Sequence, residues 1–235
     1  MKYLKEDVGM NDADSIDDAA ISTVRLEQQM EALEDRLREL PADCSPVERA
    51  DLELNIAATL VDIDRSAEGF AKARACLDVF LQSEDWELAA QACDVMFNAD
   101  QEDSLAALGQ GIWLAVTYPV DPELTVAILQ HVIDETPDDS DGGALAAATA
   151  RYIVDVRAEG KQKENLAFFA NNLLGTVARR HSNIENQADF QAWIEKLELN
   201  DPDKFLIRLR NVVDVLVQDN WWFDRDALRE RLPLN

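Results

Sequence analysis

Apolar residues recur every three or four positions along most of the chain, which is the spacing of an amphipathic helix. No stretch shows the sustained apolar–polar alternation of a half-buried strand. Capping residues and prolines separate the apolar patterns, as in Asp121-Pro122-Glu123, and are typical of helix starts. We therefore predict an all-α fold, with helices at about 21–40, 46–63, 67–82, 85–98, 102–118, 121–136, 141–158, 162–181, 186–198, 201–219 and 224–231.

The helix predicted at 21–40 is amphipathic, with a heptad stripe. Its apolar residues are spaced alternately by four and three positions: Leu26, Met30, Leu33, Leu37 and Leu40. Such a stripe either docks on neighbouring helices of the same chain or joins two chains in a homodimer.

The chain divides into three predicted parts. Residues 1–20 are rich in Asp and have little to bury, which indicates an acidic, flexible arm. The heptad helix at 21–40 follows, and residues 46–235 form a helical-repeat domain. The part of this domain from about residue 151 is close to electrically neutral.

An internal repeat supports this organisation. Residues 85–103 align with residues 121–139; both segments begin with Asp, continue with Glu and Leu, and end with Asp. The apolar positions between these residues also coincide. Because one helical hairpin cannot cover its own apolar face, a repeat of this period predicts stacked antiparallel hairpins.

The middle of the chain, at about 50–160, resembles the tetratricopeptide-repeat (TPR) family. Leu108-Gly109 followed by Ile112 and Trp113 is similar to the first-helix signature of that family. The second-helix spacing is found in Thr125, Leu129, Val132 and Pro137, and again in Ala73, Leu77 and Phe80. The resemblance implies an α-α superhelix that binds other proteins, with Asn and basic residues of inner helices holding peptide ends.

Charge is distributed unevenly along the chain. Residues 1–150 carry 9 Lys and Arg against 33 Asp and Glu, whereas residues 151–235 carry 13 against 14. The acidic part lacks the clustered cations that nucleic-acid binding requires, and anionic membranes would repel it. It predicts a protein partner with a basic surface or an exposed peptide segment, held in a salt-sensitive manner.

The sequence also bears on the cellular compartment. The N-terminus has no apolar signal segment, and no apolar run approaches the roughly 20 residues of a membrane span. The three cysteines form no CxxC pair, which favours reduced thiols and a cytoplasmic location. Cys76 and Cys93 lie in apolar helical patterns and are expected to be buried.

No motif indicates catalysis. The sequence contains no GxGxxG, no Walker-type GK[ST] and no GxSxG. The two histidines, His131 and His181, lie fifty residues apart, so neither has a His partner three or four positions away, the spacing of paired His ligands in helical metal sites. We therefore predict no cofactor, metal or catalytic residue.

The helix at 162–181 carries the strongest candidate binding surface. Leu166, Ala170, Leu173 and Val177 share one side and are expected to face the core. The opposite side aligns Asn165, Phe168, Asn172, Thr176 and Arg179. Amides pair with a peptide backbone and Arg with a carboxylate, so this row can bind a peptide. In the alternative, Phe168 packs under a neighbouring helix and the other side chains are solvated.

Two further C-terminal groups are open to two interpretations. Trp221-Trp222-Phe223 either caps the helical array or anchors a partner, in which case Trp221 and Trp222 are binding residues. Lys204, Arg208 and Arg210 either neutralise the acidic part of the same chain or form a binding patch.

These features together predict a non-catalytic adaptor, or an assembly or regulatory partner, of a basic or locally basic client protein. Three alternatives remain: a dedicated maturation chaperone for a metalloenzyme, a regulator that mimics nucleic acid, and a helical-bundle enzyme.

Overall fold

The structure, a computed structural model, describes residues 2–4 and 16–232, and for residues 16–23 it describes the backbone alone. The described residues form eleven α-helices and no strand, which confirms the all-α prediction. The helices are α1 (Ile16–Glu39), α2 (Pro46–Asp62), α3 (Ser66–Gln82), α4 (Trp86–Asn98), α5 (Ser104–Thr117), α6 (Pro122–Glu135), α7 (Asp141–Arg157), α8 (Gly160–Ser182), α9 (Gln187–Lys196), α10 (Pro202–Val217) and α11 (Arg225–Arg229). No helix within the described ranges combines the length and the apolar character needed to cross a membrane.

Side-chain caps explain where several helices begin. The Asp85 carboxylate accepts a hydrogen bond from the Leu88 N–H at 3.1 Å, and Asp121 accepts one from the Glu123 N–H at 2.7 Å. Pro46, Pro122 and Pro202 open α2, α6 and α10, where a missing N–H costs nothing.

The turns between several helices share one geometry. Asp64, Glu84 and Glu198 adopt left-handed backbone with φ of 61°, 57° and 55°. In each turn, the N–H of the left-handed residue donates to the carbonyl three positions back, as from Glu84 to Leu81 at 3.4 Å. The N–H of the following residue donates to the carbonyl five positions back, as from Asp85 to Phe80 at 3.0 Å. This pair of backbone bonds satisfies the last carbonyls of the preceding helix.

The main hydrophobic core runs through the domain from α2 to α11. From α1 to α9 each helix contacts the next, and α10 packs against both α5 and α7. A Cβ on Gly109 would lie 2.5 Å from Cγ2 of Val217, so the glycine permits the close approach of α5 and α10. Cys76 and Cys93 are buried in this core, as expected.

The two aligned repeat segments occupy equivalent positions in α4 and α6. Ala90 and Cys93 are fully buried, and so are their counterparts Val126 and Leu129. The helix contacts are compatible with stacked hairpins, which remain the predicted arrangement.

The heptad stripe of α1 is covered within the chain. Met30 and Leu33 form a small separate core with Leu52, Ile56 and Leu60 of α2. The apolar stripe of α1, for which the sequence also allowed a homodimer contact, therefore packs against α2 of the same chain.

The beginning of the chain meets the helical domain. α1 begins at Ile16 rather than 21, and most of the segment 1–15 of the predicted arm lies outside the described residues. Leu4, however, is only 6% exposed and joins the main core.

Two arginines from residues 151–235 donate hydrogen bonds to the C-terminal ends of helices that lie within the acidic residues 1–150. Arg157 donates to the carbonyl oxygens of Ala115 and Val116 at the end of α5, each at 2.7 Å. Arg180 donates to the Ile133 carbonyl near the end of α6, at 2.5 Å. These contacts place cations at the negative ends of helix dipoles.

Candidate protein-binding surfaces

The predicted row on α8 faces solvent along its whole length. Asn165, Asn172, Thr176 and Arg179 are exposed, and Phe168 is 71% exposed. The alternative in which Phe168 packs under a neighbouring helix is therefore wrong. Among the large hydrophobic side chains that are exposed in the described part of the chain, Phe168 is the one aromatic residue.

The opposite side of α8 faces the core, with one correction. Leu166, Ala170 and Val177 are buried as predicted, but Leu173 is half-buried and Leu174 is buried in its place. The core stripe therefore follows 170, 174 and 177, because spacings of four and three residues bring side chains to one face of a helix.

The C-terminal end of the row leads into a cleft between α8 and α9. The cleft has a volume of about 380 Å³, and its lining includes Arg179 and Gly175 of α8. Leu174, Ile184 and Phe190 supply apolar surface. Helical periodicity identified the α8 side of this site but missed Ile184 and Phe190, because the α8–α9 connection brings them in.

The backbone around the cleft is fixed at both helix ends. Asn183 ends α8 in left-handed conformation at φ 52°, which turns the chain toward α9. The side chain of Asn186 then accepts a hydrogen bond from the Asp189 N–H at 3.0 Å and caps α9. Asn is a common residue both at the C-terminal end of a helix in left-handed conformation and at the N-cap.

Arg179 presents a cation at the mouth of this cleft. Its guanidinium donates to the Thr176 hydroxyl at 3.1 Å, and no described carboxylate forms an ion pair with it. The neighbouring Arg180 points the other way, into the helix end described above. Glu185 also lines the cleft but does not pair with Arg179, which is oriented by Thr176 and available to a carboxylate from outside the chain.

Trp221, Trp222 and Phe223 are half-buried and pack on the helical array. Trp221 and Phe223 both contact the ring of Trp113 in α5. The Trp222 N–H donates to the Gln110 side chain at 2.9 Å, and Phe70 meets the Trp222 ring edge-on. This is the capping arrangement, one of the two interpretations that the sequence left open.

The basic residues of α10 form hydrogen bonds and ion pairs mainly with other residues of the same chain. Arg208 donates to Asp141 and to the Leu197 carbonyl, each at 2.6 Å, and Lys204 pairs with Glu198. Arg210 is exposed. Arg208 thus links α10 to the acidic part, as the neutralisation hypothesis expects.

The two histidines bond to distant carboxylates. His131 lies 2.9 Å from Asp94, and His181 lies 3.2 Å from Asp141 while accepting from the Trp193 indole at 3.1 Å. Within the described part of the chain, no three or more His, Cys, Asp or Glu side chains are grouped as a metal site.

Comparison with known proteins adds no relative. No protein-family model matches the chain, and no curated protein or solved structure matches it. The surfaces described above are therefore the basis for a functional proposal.

Proposed function

We propose that this protein is a non-catalytic, TPR-like binding module that holds an exposed peptide segment of a partner protein on α8. The observation that carries the proposal is the uncovered Phe168, within a polar row that leads into the α8–α9 cleft. Burying one aromatic side chain at a protein interface can supply much of the binding free energy.

Each part of the surface has a role in this proposal. Phe168 packs against an apolar side chain of the peptide, while Asn165 and Asn172 bond to its backbone. Arg179 binds a carboxylate, either of an acidic side chain or of the peptide terminus. The apolar lining of the cleft receives the next side chain of the peptide.

Charge defines the rest of the partner. Residues 1–150 have a net charge of −24, so a partner with a basic surface approaches faster and a strongly acidic one is repelled. The proposed partner thus combines a basic surface with a short segment that contains an apolar and an acidic group.

Site-specific photocrosslinking tests this proposal. The photoreactive residue p-benzoylphenylalanine replaces Phe168 in one variant and Val215 of α10, which is 73% exposed, in a matched control. In cells of the native host, we expect one dominant crosslinked protein from position 168 and not from position 215. The crosslink should be lost on Arg179→Glu, since that change reverses the charge at the cleft. The same proteins from both positions, or none from position 168, would refute the proposal.

The identity of the crosslinked protein also separates the alternatives. A metalloenzyme that lacks its cofactor would favour the maturation chaperone, and a DNA-binding protein would favour nucleic-acid mimicry. A bound metal in the purified protein, without any crosslinked partner, would favour the helical-bundle enzyme.

A further inference from the structure

The residues at the start of the chain lie in a groove between α4 and α6, and they share no residue with the α8 surface. Leu4 is almost fully buried, and the Tyr3 hydroxyl donates to Glu87 of α4 at 3.1 Å. The Lys2 ammonium lies 2.7 Å from the Tyr3 hydroxyl and 4.6 Å from the centre of its ring. Three successive side chains thus contact the groove or each other.

Glu123, in the first turn of α6, holds this segment by its backbone. The Tyr3 N–H donates to Glu123 Oε1 at 2.7 Å, and the Leu4 N–H donates to the same oxygen at 3.3 Å. Glu123 is only 7% exposed, and no described Lys or Arg pairs with it. A buried carboxylate is costly unless donors satisfy it, so an occupant of this groove must offer N–H groups to Glu123. The chain bends at Tyr3 and Leu4, and this bend turns two successive N–H groups toward one oxygen.

Backbone recognition of this kind is not limited to one sequence. Any segment that bends in the same way offers two successive N–H groups, except where proline removes one of them. The side chains then add preference: an apolar one at the position of Leu4 and a hydroxyl-bearing aromatic one at the position of Tyr3.

The groove is acidic and continues beyond Leu4. A cleft of about 190 Å³ borders Leu4 and is lined by Asp94, Gln130 and His131, among others. No Lys or Arg occurs in the sequence between Arg74 and Arg151, so the helices on both sides of the groove carry neither residue. A basic residue next to the aromatic one, as Lys2 is next to Tyr3, suits this surface.

We infer that the α4–α6 groove is a second peptide-binding site, that it takes a bent basic–aromatic–aliphatic segment of a partner protein, and that Lys2–Leu4 is an intramolecular competitor for it. The partner segment would supply its own two N–H donors in place of those of Tyr3 and Leu4, and its own aliphatic side chain in place of the buried Leu4. Access to the groove is then limited by the chain's own occupant, and partners bind only when they displace it.

The test uses a fluorescent peptide with the sequence of residues 2–5, Lys-Tyr-Leu-Lys, capped at both ends and measured by fluorescence anisotropy. We expect saturable binding to a chain that lacks residues 1–15, at least tenfold tighter than binding to the full chain. The full chain with Leu4→Ala should also bind the peptide more tightly than the unchanged chain does, since its own occupant is weakened.

Matched changes identify the contacts. Glu123→Gln in the shortened chain should weaken binding at least tenfold, because it removes the buried charge and keeps the side-chain shape. The same peptide with an N-methylated tyrosine should bind at least tenfold more weakly, because it keeps every side chain and lacks one of the two N–H groups.

Three outcomes would overturn the inference. One is no binding by either the Leu4→Ala chain or a shortened chain that keeps its helical circular dichroism spectrum. Another is binding that Glu123→Gln leaves unchanged. The third is a dimer of the full chain that dissociates on Leu4→Ala, because the groove would then belong to a second copy. None of these results bears on position 168, so failure here is distinct from failure of the α8 proposal.

Discussion

The thiol groups of Cys76 and Cys93 lie in the core and are held in their protonated form. Burial raises the pKa of Cys76 to about 12, with Glu53 acting in the same direction. Burial also raises the pKa of Cys93 well above its ordinary value. Since the thiolate is the reactive species, both side chains are doubly protected, by lack of access and by lack of charge.

Alkylation should therefore distinguish the three cysteines. With iodoacetamide at pH 8, we expect the folded protein to react at Cys44, which is only half-buried, and to leave Cys76 and Cys93 unmodified. In urea, which unfolds the chain, all three should react at comparable rates. Peptide mass spectrometry measures each site. Modification of Cys76 or Cys93 in the folded protein as fast as Cys44 would contradict this expectation.

At the scale of the helices and turns, several connections use a left-handed residue that is not glycine. Asp64, Glu84 and Glu198 make the same backbone hydrogen bonds that a glycine usually makes after a helix. A side chain in this conformation costs about 1 kcal/mol, because its Cβ approaches the following carbonyl oxygen.

At such a position, glycine should be more stable than another small residue. We expect Glu84→Gly to raise the free energy of unfolding by about 1 kcal/mol relative to Glu84→Ala. Both variants lose the contact of Glu84 with Arg231, which is exposed and long at 3.5 Å, so the comparison isolates the backbone. Urea unfolding measures the difference. Equal stability of the two variants would show that the turn carries no strain.

The elements that the sequence predicted well are those whose signal is local. Helix positions followed from apolar spacing, and the exposed row on α8 followed from the geometry of a single helix. The turn at Glu84 carried no glycine signal, and Leu4 is a single apolar residue in a polar stretch without a period. The α8–α9 cleft depends on residues brought together by packing, so periodicity could not locate it. The TPR resemblance and the binding function stay predictions.

At the scale of the whole molecule, the net charge of −25 opposes the compact state. Much of this charge lies in the first 150 residues, and the 76 residues from 75 to 150 contain no Lys or Arg at all. Contacts such as that of Arg208 with Asp141 offset only part of the repulsion.

Added salt should therefore stabilise the folded protein. Raising sodium chloride from 20 mM to 500 mM shortens the screening length from roughly 20 Å to roughly 4 Å. We expect Tm to rise by about 2–8 °C, which corresponds to about 1–2 kcal/mol for a chain of this size. Calorimetry in sodium chloride and in potassium chloride at equal ionic strength measures the effect. A Tm that falls or stays constant in both salts would mean that self-repulsion does not limit stability.

The arginines that close the ends of α5 and α6 have a consequence for biosynthesis. The ribosome makes the acidic part first, yet Arg157 and Arg180 are added only after both helices have been made. The close partner of α5, helix α10, emerges later still. Helices α5 and α6 therefore leave the ribosome before Arg157, Arg180 and α10 are available, and the nascent chain completes its fold only when its last third has been translated.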